Sequence, residues 1–383
     1  MQRRTLLKAA AVALASDALR VRPLDASAPP LFRISLAQWS LHRALYGTLE
    51  PGEDRVKLLQ SDPDRALRGP LKPLDFPLVA RRDYGLDGVE YVKPFLYGHA
   101  DDEPFLAELA RRCEGEGVTS VLIMCDLEGA LGDPAPTARA TAVENHVRWL
   151  RAAARLGCHA IRVNAQSSGT VEEQAKLAAD GLHALALRAA PFGLHVVVEN
   201  HGGLSSRGTW LMDVLRRADH PLLGTLPDFG NFNVSSTEVY DKYQGDAEKL
   251  PLARAVSAKS HGFDAEGNEA EIDYRRMMRI VLDAGYRGWG GVEYEGTVHS
   301  EPEGIRATVA LLQRIREEMS RCSRARWRWQ PCWWAAAPDR PPSRCRAPAG
   351  NSSNWLARWW RRLVLPHRPG ISVSMAIPGD SRP

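Results

Sequence analysis

Four short segments of this chain place an acidic or histidine residue directly after an apolar, β-branched or glycine-rich run. They read "VVVENHGG" (Glu199), "TLPDFGNF" (Asp228), "AVSAKSHGFD" (His261) and "GGVEYEG" (Glu293). A carboxylate that ends such a run is costly to bury unless it is paired or metal-bound. Two Glu, one Asp and one His brought to one point would make a divalent-metal site of mixed oxygen and nitrogen ligands. If these runs are strands, alternation puts Glu199 and His201 on one side, and likewise Ser257, Lys259 and His261, and Glu293 and Glu295. Either Lys259 or His261 could stand closest to the ion. Imidazole is the better ligand, because Lys would first have to lose its proton. Glu293 lies deeper in its run than Glu295 and is the expected ligand of the two. Asn231, three residues past Asp228, could reach the same pocket.

The elements that would bring these residues together alternate along the chain. Strand candidates cover 32–38, 87–92, 119–125, 159–165, 194–200, 222–228, 254–260 and 289–295. Between them lie stretches with apolar residues at helical spacing, such as Phe105, Leu106, Leu109 and Ala110, or Val143, Val147, Leu150 and Ala154. "FPLVARRDYGLDG" and "MMRIVLDAGYRGWG" each end a helix in Gly before the next strand. Eight βα units in one domain define a (β/α)8 TIM barrel, whose strand ends all point at one mouth. The segment Tyr46–Pro73, rich in Pro, Gly, Asp and Arg, follows the first strand. It reads equally as a loop or lid over the mouth and as a surface insertion without function.

Composition separates the chain into three parts. "QRRTLLKAAAVALAS" pairs Arg3 and Arg4 with a short apolar stretch and is followed by an A-x-A at Ala26-Ser27-Ala28. That is the form of a signal peptide over 1–28, and R-R-x-L-L-K resembles a twin-arginine export signal. The expected location is therefore periplasmic or otherwise exported. The body, 29–318, has an ordinary globular composition, and no segment in it approaches the length of a membrane span. Residues 319–383 differ: from 321 on they hold twelve Arg, no Lys or Glu, and only Asp339 and Asp380, with seven of the 11 Trp. This tail reads as unstructured, as though translated out of frame after about Met319; an adhesive interfacial helix in "WLARWWRRLVL" is the alternative. The whole chain sums to +4, so without the tail the body is mildly acidic and a poor nucleic-acid binder. Six Cys show no C-x-x-C spacing and suggest buried thiols rather than a disulfide framework.

The segments "ISLAQWSLH", "DGVEYV", "IRVNAQSSG", "VVVENHGG", "LPDFGNF", "SAKSH" and "GYRGWGGVEYEG" together resemble the sugar phosphate isomerase/epimerase superfamily, with its xylose isomerase-like TIM barrel. The resemblance covers about 31–318. It implies one divalent ion (Mn, Mg, Co or Zn) held by Glu199, Asp228, His261 and Glu293, with the two Glu also moving the proton. Lys259 stands near the column where many relatives have the strand-7 His. Asn231 stands where epimerases often carry a substrate-binding His.

The function so implied is a metal-dependent sugar or keto-sugar isomerase or epimerase working through an enediolate. Glu199 and Glu293 would exchange a carbon-bound proton, and the ion would act as Lewis acid. Glu90, Asn164, His201 and Asn231 would orient hydroxyls, and Lys259 would offset enediolate charge. Lyase or dehydratase chemistry on a keto-sugar or cyclitol begins with the same abstraction and is the alternative. A nuclease on this barrel would need more His ligands and a basic face. A non-catalytic sugar-binding barrel is disfavoured because both Glu are present. The expected partner is a small carbohydrate, and an oligomer is compatible with the sequence.

Overall fold

All eight apolar runs form strands in a computed structural model, which describes residues 29–328. The strands are β1 (Arg33–Ala37), β2 (Gly88–Val92), β3 (Thr119–Met124), β4 (Ala160–Val163), β5 (His195–Glu199), β6 (Leu223–Leu226), β7 (Val256–Ser260) and β8 (Trp289–Tyr294). Each is followed by a helix: α1 (Phe76–Tyr84), α2 (Glu103–Glu116), α3 (Pro136–Leu156), α4 (Val171–Ala189), α5 (Gly208–Ala218), α6 (Lys242–Lys249), α7 (Tyr274–Asp283) and α8 (Glu301–Arg328). The export signal read over 1–28 and the tail from 329 on lie outside the described residues. The tail boundary read at 318 falls inside α8, which continues to Arg328.

Parallel ladders join the strands in the order β6-β5-β4-β3-β2-β1-β8-β7. The two end strands then meet through isolated parallel bridges, Thr225 to Ala253 and Asp228 to Ser257. Ser257 N donates to Pro227 O (2.9 Å) and Phe229 N to Ser257 O (3.2 Å) at that seam. The sheet is thus a closed (β/α)8 barrel. Parallel strands covered on both faces should read as continuous apolar runs, and Val196, Val197 and Val198 of β5 are all fully buried. Thr170 and Glu173 form a reciprocal capping box at the start of α4. Cys113, Cys125 and Cys158 are free and buried. No helix among the described residues is long and apolar enough to cross a membrane.

The segment 46–73 is an ordered, packed insertion rather than a plain loop. It contains two short helices, Arg55–Ser61 and Pro63–Ala66, capped by the Asp54 and Asp62 side chains. Arg55 lies over the Tyr46 ring and donates to the carbonyls of Tyr46, Gly47 and Ala66. Tyr46 in turn packs on Trp39 and Phe95.

Candidate active site

The C-terminal ends of β5, β6 and β8 bring Glu199, Asp228 and Glu293 together. All three are buried, and one carboxylate oxygen from each lies within 4.8 Å of the others. Such a group is costly in a dry interior unless cations or donors meet it. Here two cations and several donors do.

On the β4 side, Arg162 Nε lies 2.7 Å from Glu199 Oε2, and its Nη1 lies 2.6 Å from Asp126 Oδ1. Asn164 Nδ2 donates to the same Asp126 oxygen (2.9 Å). Burial alone would raise the Asp126 carboxyl, but Arg162 outweighs it and holds it down at about 2. On the β7 side, Lys259 Nζ lies 3.3 Å from Glu293 Oε1, 3.3 Å from Glu295 Oε1 and 3.7 Å from Asp228 Oδ2. Lys259 and Glu293 are register partners on neighbouring strands, which explains why their side chains share a face. Burial works against the ammonium, yet Asp228, Glu293 and Glu295 raise its proton affinity well above the usual lysine value.

Short donors fix the remaining carboxylate oxygens. Asn231 Nδ2 donates to Glu199 Oε1 (3.1 Å), and Ser257 Oγ donates to Glu293 Oε2 (2.9 Å). The Gly230 and Asn231 amides donate to Asp228 Oδ1 (2.8 Å each). Asn200 ties the ends of β5 and β6 together: its Nδ2 donates to Asp228 O and its Oδ1 accepts from Asp228 N, both at 2.9 Å. Burial pushes both Glu199 and Glu293 above the ordinary carboxylate range, while Arg162 and Lys259 respectively pull them back. Glu90, on β2, is fully buried, accepts from Ser35 Oγ (2.6 Å), and is pushed by burial up to about 8. Its carboxylate fits because residue 291 is Gly; a Cβ there would come within 2.5 Å of Glu90 Oε2.

The structure does not bring His261 into this group. Strand β7 ends at Ser260, and the His261 amide is drawn away to Glu269 Oε1 (3.1 Å). Its imidazole lies beside the Lys259 stem, since a Cβ on Gly230 would come within 3.3 Å of His261 Cε1, and its Nδ1 is buried without a hydrogen-bond partner among the described residues. Lys259 holds the central position between the acids. His201 is exposed; its amide donates to Ser205 Oγ (3.0 Å). Asn231 binds Glu199 of the group and Asn164 binds Asp126 beside it, and Glu90 lies on the barrel axis side of β2 near Glu199 and Glu293. Sequence reading missed Arg162, Asp126 and Asn200, and it placed Ser257 on the face of Lys259 without giving it a role. Arg162 had a signal: an arginine inside the apolar run "HAIRVNA" must find an acid there.

A divalent ion can be tested against these residues directly. Three converging carboxylates suit one. The strand-7 donor, however, is an ammonium 3.3 and 3.7 Å from two of the prospective ligand atoms, and Glu199 is already paired with Arg162. With Lys259 in that position the group does not fit a divalent ion.

Fold and site together define a (β/α)8 barrel whose mouth holds buried proton-accepting carboxylates beside fixed cations. The xylose isomerase-like TIM barrel family model matches residues 78–315, and the chain belongs to that family. No curated protein sequence matches it. Among solved structures it is similar to the 3-keto-D-glucoside 4-epimerase YcjR from E. coli, with 17% identity, TM-score 0.53, and 64% of this chain and 95% of that one covered. It is also similar to an L-ribulose 3-epimerase (15% identity, TM-score 0.56, 78% and 100% covered). A D-tagatose 3-epimerase-like protein aligns over 76% of this chain and 100% of its own at 14% identity, TM-score 0.53. These likenesses show the fold.

Proposed function

We propose that this protein is a sugar or keto-sugar isomerase or epimerase that moves a proton at a carbon next to a carbonyl. The observation that carries the reading is the pair Glu199 and Glu293: buried carboxylates on different strands, within 4.8 Å of each other and with raised proton affinity. A carboxylate in that range is a better base at neutral pH than an ordinary Glu, and its conjugate acid is still a usable donor. One Glu takes the carbon-bound proton as the substrate's carbonyl becomes an enediolate. The other, or the same one, returns a proton to either carbon or to the opposite face. Negative charge on the enediolate oxygens develops next to the Lys259 ammonium, which is already in place. Asn164 and Asn231 present amides at the rim, and the buried Asn164 Oδ1 has no partner among the described residues, so it is open to a substrate hydroxyl. The epimerase activities named for the similar structures agree with this chemistry. The residues present do not fit a metal ion, so the positive charge beside the enediolate is that of Lys259.

The test is solvent deuterium uptake across monosaccharides, keto-sugars and inososes. Uptake at a carbon next to the carbonyl is expected for one substrate class. Loss of water or of another leaving group without exchange into recovered substrate would replace isomerisation by a lyase reaction. We further propose that Arg3 and Arg4 direct export, so the substrate is a free rather than intracellular phosphorylated sugar. A reporter fusion carrying Arg3→Lys and Arg4→Lys should stay in the cytoplasm, and unimpaired export would exclude this route.

A further inference from the structure

The position at the centre of the acidic group is filled by a side chain that brings its own charge. Lys259 is almost fully enclosed, with its side chain 3% exposed, and Nζ is within 3.3 Å of both Glu293 and Glu295. Its stem runs against Gly230, where a Cβ would come within 2.9 Å of Lys259 Cδ. The chain thus leaves room for this lysine at a residue that has no side chain to clash with it.

The second cation completes the pattern. Arg162 faces Glu199 at 2.7 Å, so each carboxylate that could ligate a metal already faces a tethered positive group. A divalent ion bound to carboxylate oxygens would sit about 2.0–2.2 Å from each, hence within a few ångströms of Nζ. Like charges at such separations repel strongly even at the effective dielectric of a partly wet site. The ammonium has three donors, and its contact with Asp228 Oδ2 is too long for a hydrogen bond at 3.7 Å. That Asp228 oxygen is buried without a hydrogen-bond partner among the described residues. One N–H therefore remains for an incoming oxygen atom, beside an acceptor that could hold a substrate hydroxyl.

We propose that the Lys259 ammonium is the resident cation of this site, in place of a divalent metal ion, and that it meets the substrate oxygen on which negative charge develops. The second half of that statement rests on the proposed isomerase chemistry. The first half does not.

The experiment uses the full chain, dialysed against a chelator and then titrated calorimetrically with Mn2+, Zn2+ or Mg2+ alone. Wild type is expected to show no one-to-one binding and no rise in Tm with Mn2+. Lys259→His removes the ammonium and supplies an imidazole, and it should bind Mn2+ or Zn2+ on the order of 100-fold more tightly than wild type. Lys259→Gln, neutral and of similar reach, is the second variant and should also gain affinity, by less. A stoichiometric ion in wild type that chelation removes with a fall in Tm overturns the proposal. So does binding by both variants that is no tighter than by wild type. Deuterium exchange by wild type should be unaffected by chelator, and its abolition would overturn the proposal as well. If the metal titrations come out as expected but no sugar exchanges, the proposed function fails and the identity of the resident cation stands.

Discussion

Lys259 and Lys249 are both closed off from solvent in one barrel, and each faces acids, yet their surroundings act in opposite directions. Lys249 has a single close partner, Asp246, at 3.1 Å, and both side chains are fully buried. Burial wins there: it lowers the Lys249 proton affinity and pushes Asp246 up to about 7. Lys259 is nearly as enclosed, but three carboxylates surround it and its proton affinity rises. The difference teaches that the number of facing carboxylates, more than burial, decides whether an interior lysine stays charged. It also separates two jobs. The Lys249 pair braces α6, whose end is tied to β6 through Thr225 Oγ1 donating to Lys249 O (2.8 Å). The Lys259 group keeps surplus negative charge at the C-terminal ends of the strands.

The largest effect is expected where the acids outnumber the cations. Glu293→Gln and Glu199→Gln keep shape but remove the base, and each should lower deuterium exchange by about 10²–10⁴-fold with little change in Tm. Full exchange in Glu293→Gln would move the base to Glu295 or elsewhere. At the other lysine the effect should fall on stability. Lys249→Met leaves Asp246 buried alone and should cost about 3–5 kcal/mol in denaturant unfolding. The double change Asp246→Leu with Lys249→Met should recover most of that loss, since an apolar pair needs no counter-charge. A single variant as stable as wild type would show that the pair braces nothing.

A pH series sharpens the contrast within the mouth. The folded-state proton affinities of Glu199, Glu293 and Glu90 are raised. Their stabilising contribution is therefore fully present below the unfolded carboxylate range and is lost as pH rises through the folded values. Unfolding free energy from this source should fall between about pH 5 and pH 8, while exchange activity should rise over the same window as the base ionises. Activity and stability changing in the same direction there would contradict the assignment. The smallest effect is expected at Ser257→Ala, which deletes the hydroxyl donating to Glu293. Removing a donor to the charged form should move the acidic limb of the rate profile upward by about one pH unit or less.

How far the sequence reveals this molecule depends on what kind of force places each residue. The eight strands were legible because a parallel strand covered on both faces must be apolar along its length, as Val196–Val198 are. Glu199, Asp228 and Glu293 were legible for the same reason, each being a charge at the end of such a run. His261 was read as the strand-7 member of the set, but alternation holds only while a strand lasts: β7 ends at Ser260, and the strand-7 side chain among the acids is Lys259. Asp126 was missed, and Ser257 was placed on its face but not paired, because their partners, Arg162 and Glu293, lie 36 residues away in each case. The helices at 55–61 and 63–66 were hidden by a Pro- and Asp-rich composition, since local caps and the Arg55 contacts hold them rather than periodicity.

The junction between β6 and β7 carries a consequence for the order of assembly. Strands β2 to β6 each pair with the strand before them, and β8 returns to β1 and carries β7 with it. The one join left joins the two ends of the sheet by isolated bridges instead of a ladder. Its two sides are neighbours in sequence, but isolated bridges gain little until the β1–β8 ladder, which pairs Arg33 with Trp289, has brought the sheet round. That ladder is the long-range closure, and such closures come late in folding because their entropy is recovered last. Asp228 bridges to Ser257 at that join, with Lys259 two residues further on. In pulse-labelled hydrogen exchange, the Ser257 and Phe229 amides should gain protection after those of β2 to β5. The barrel would then acquire its chemistry only in the step that makes it a barrel.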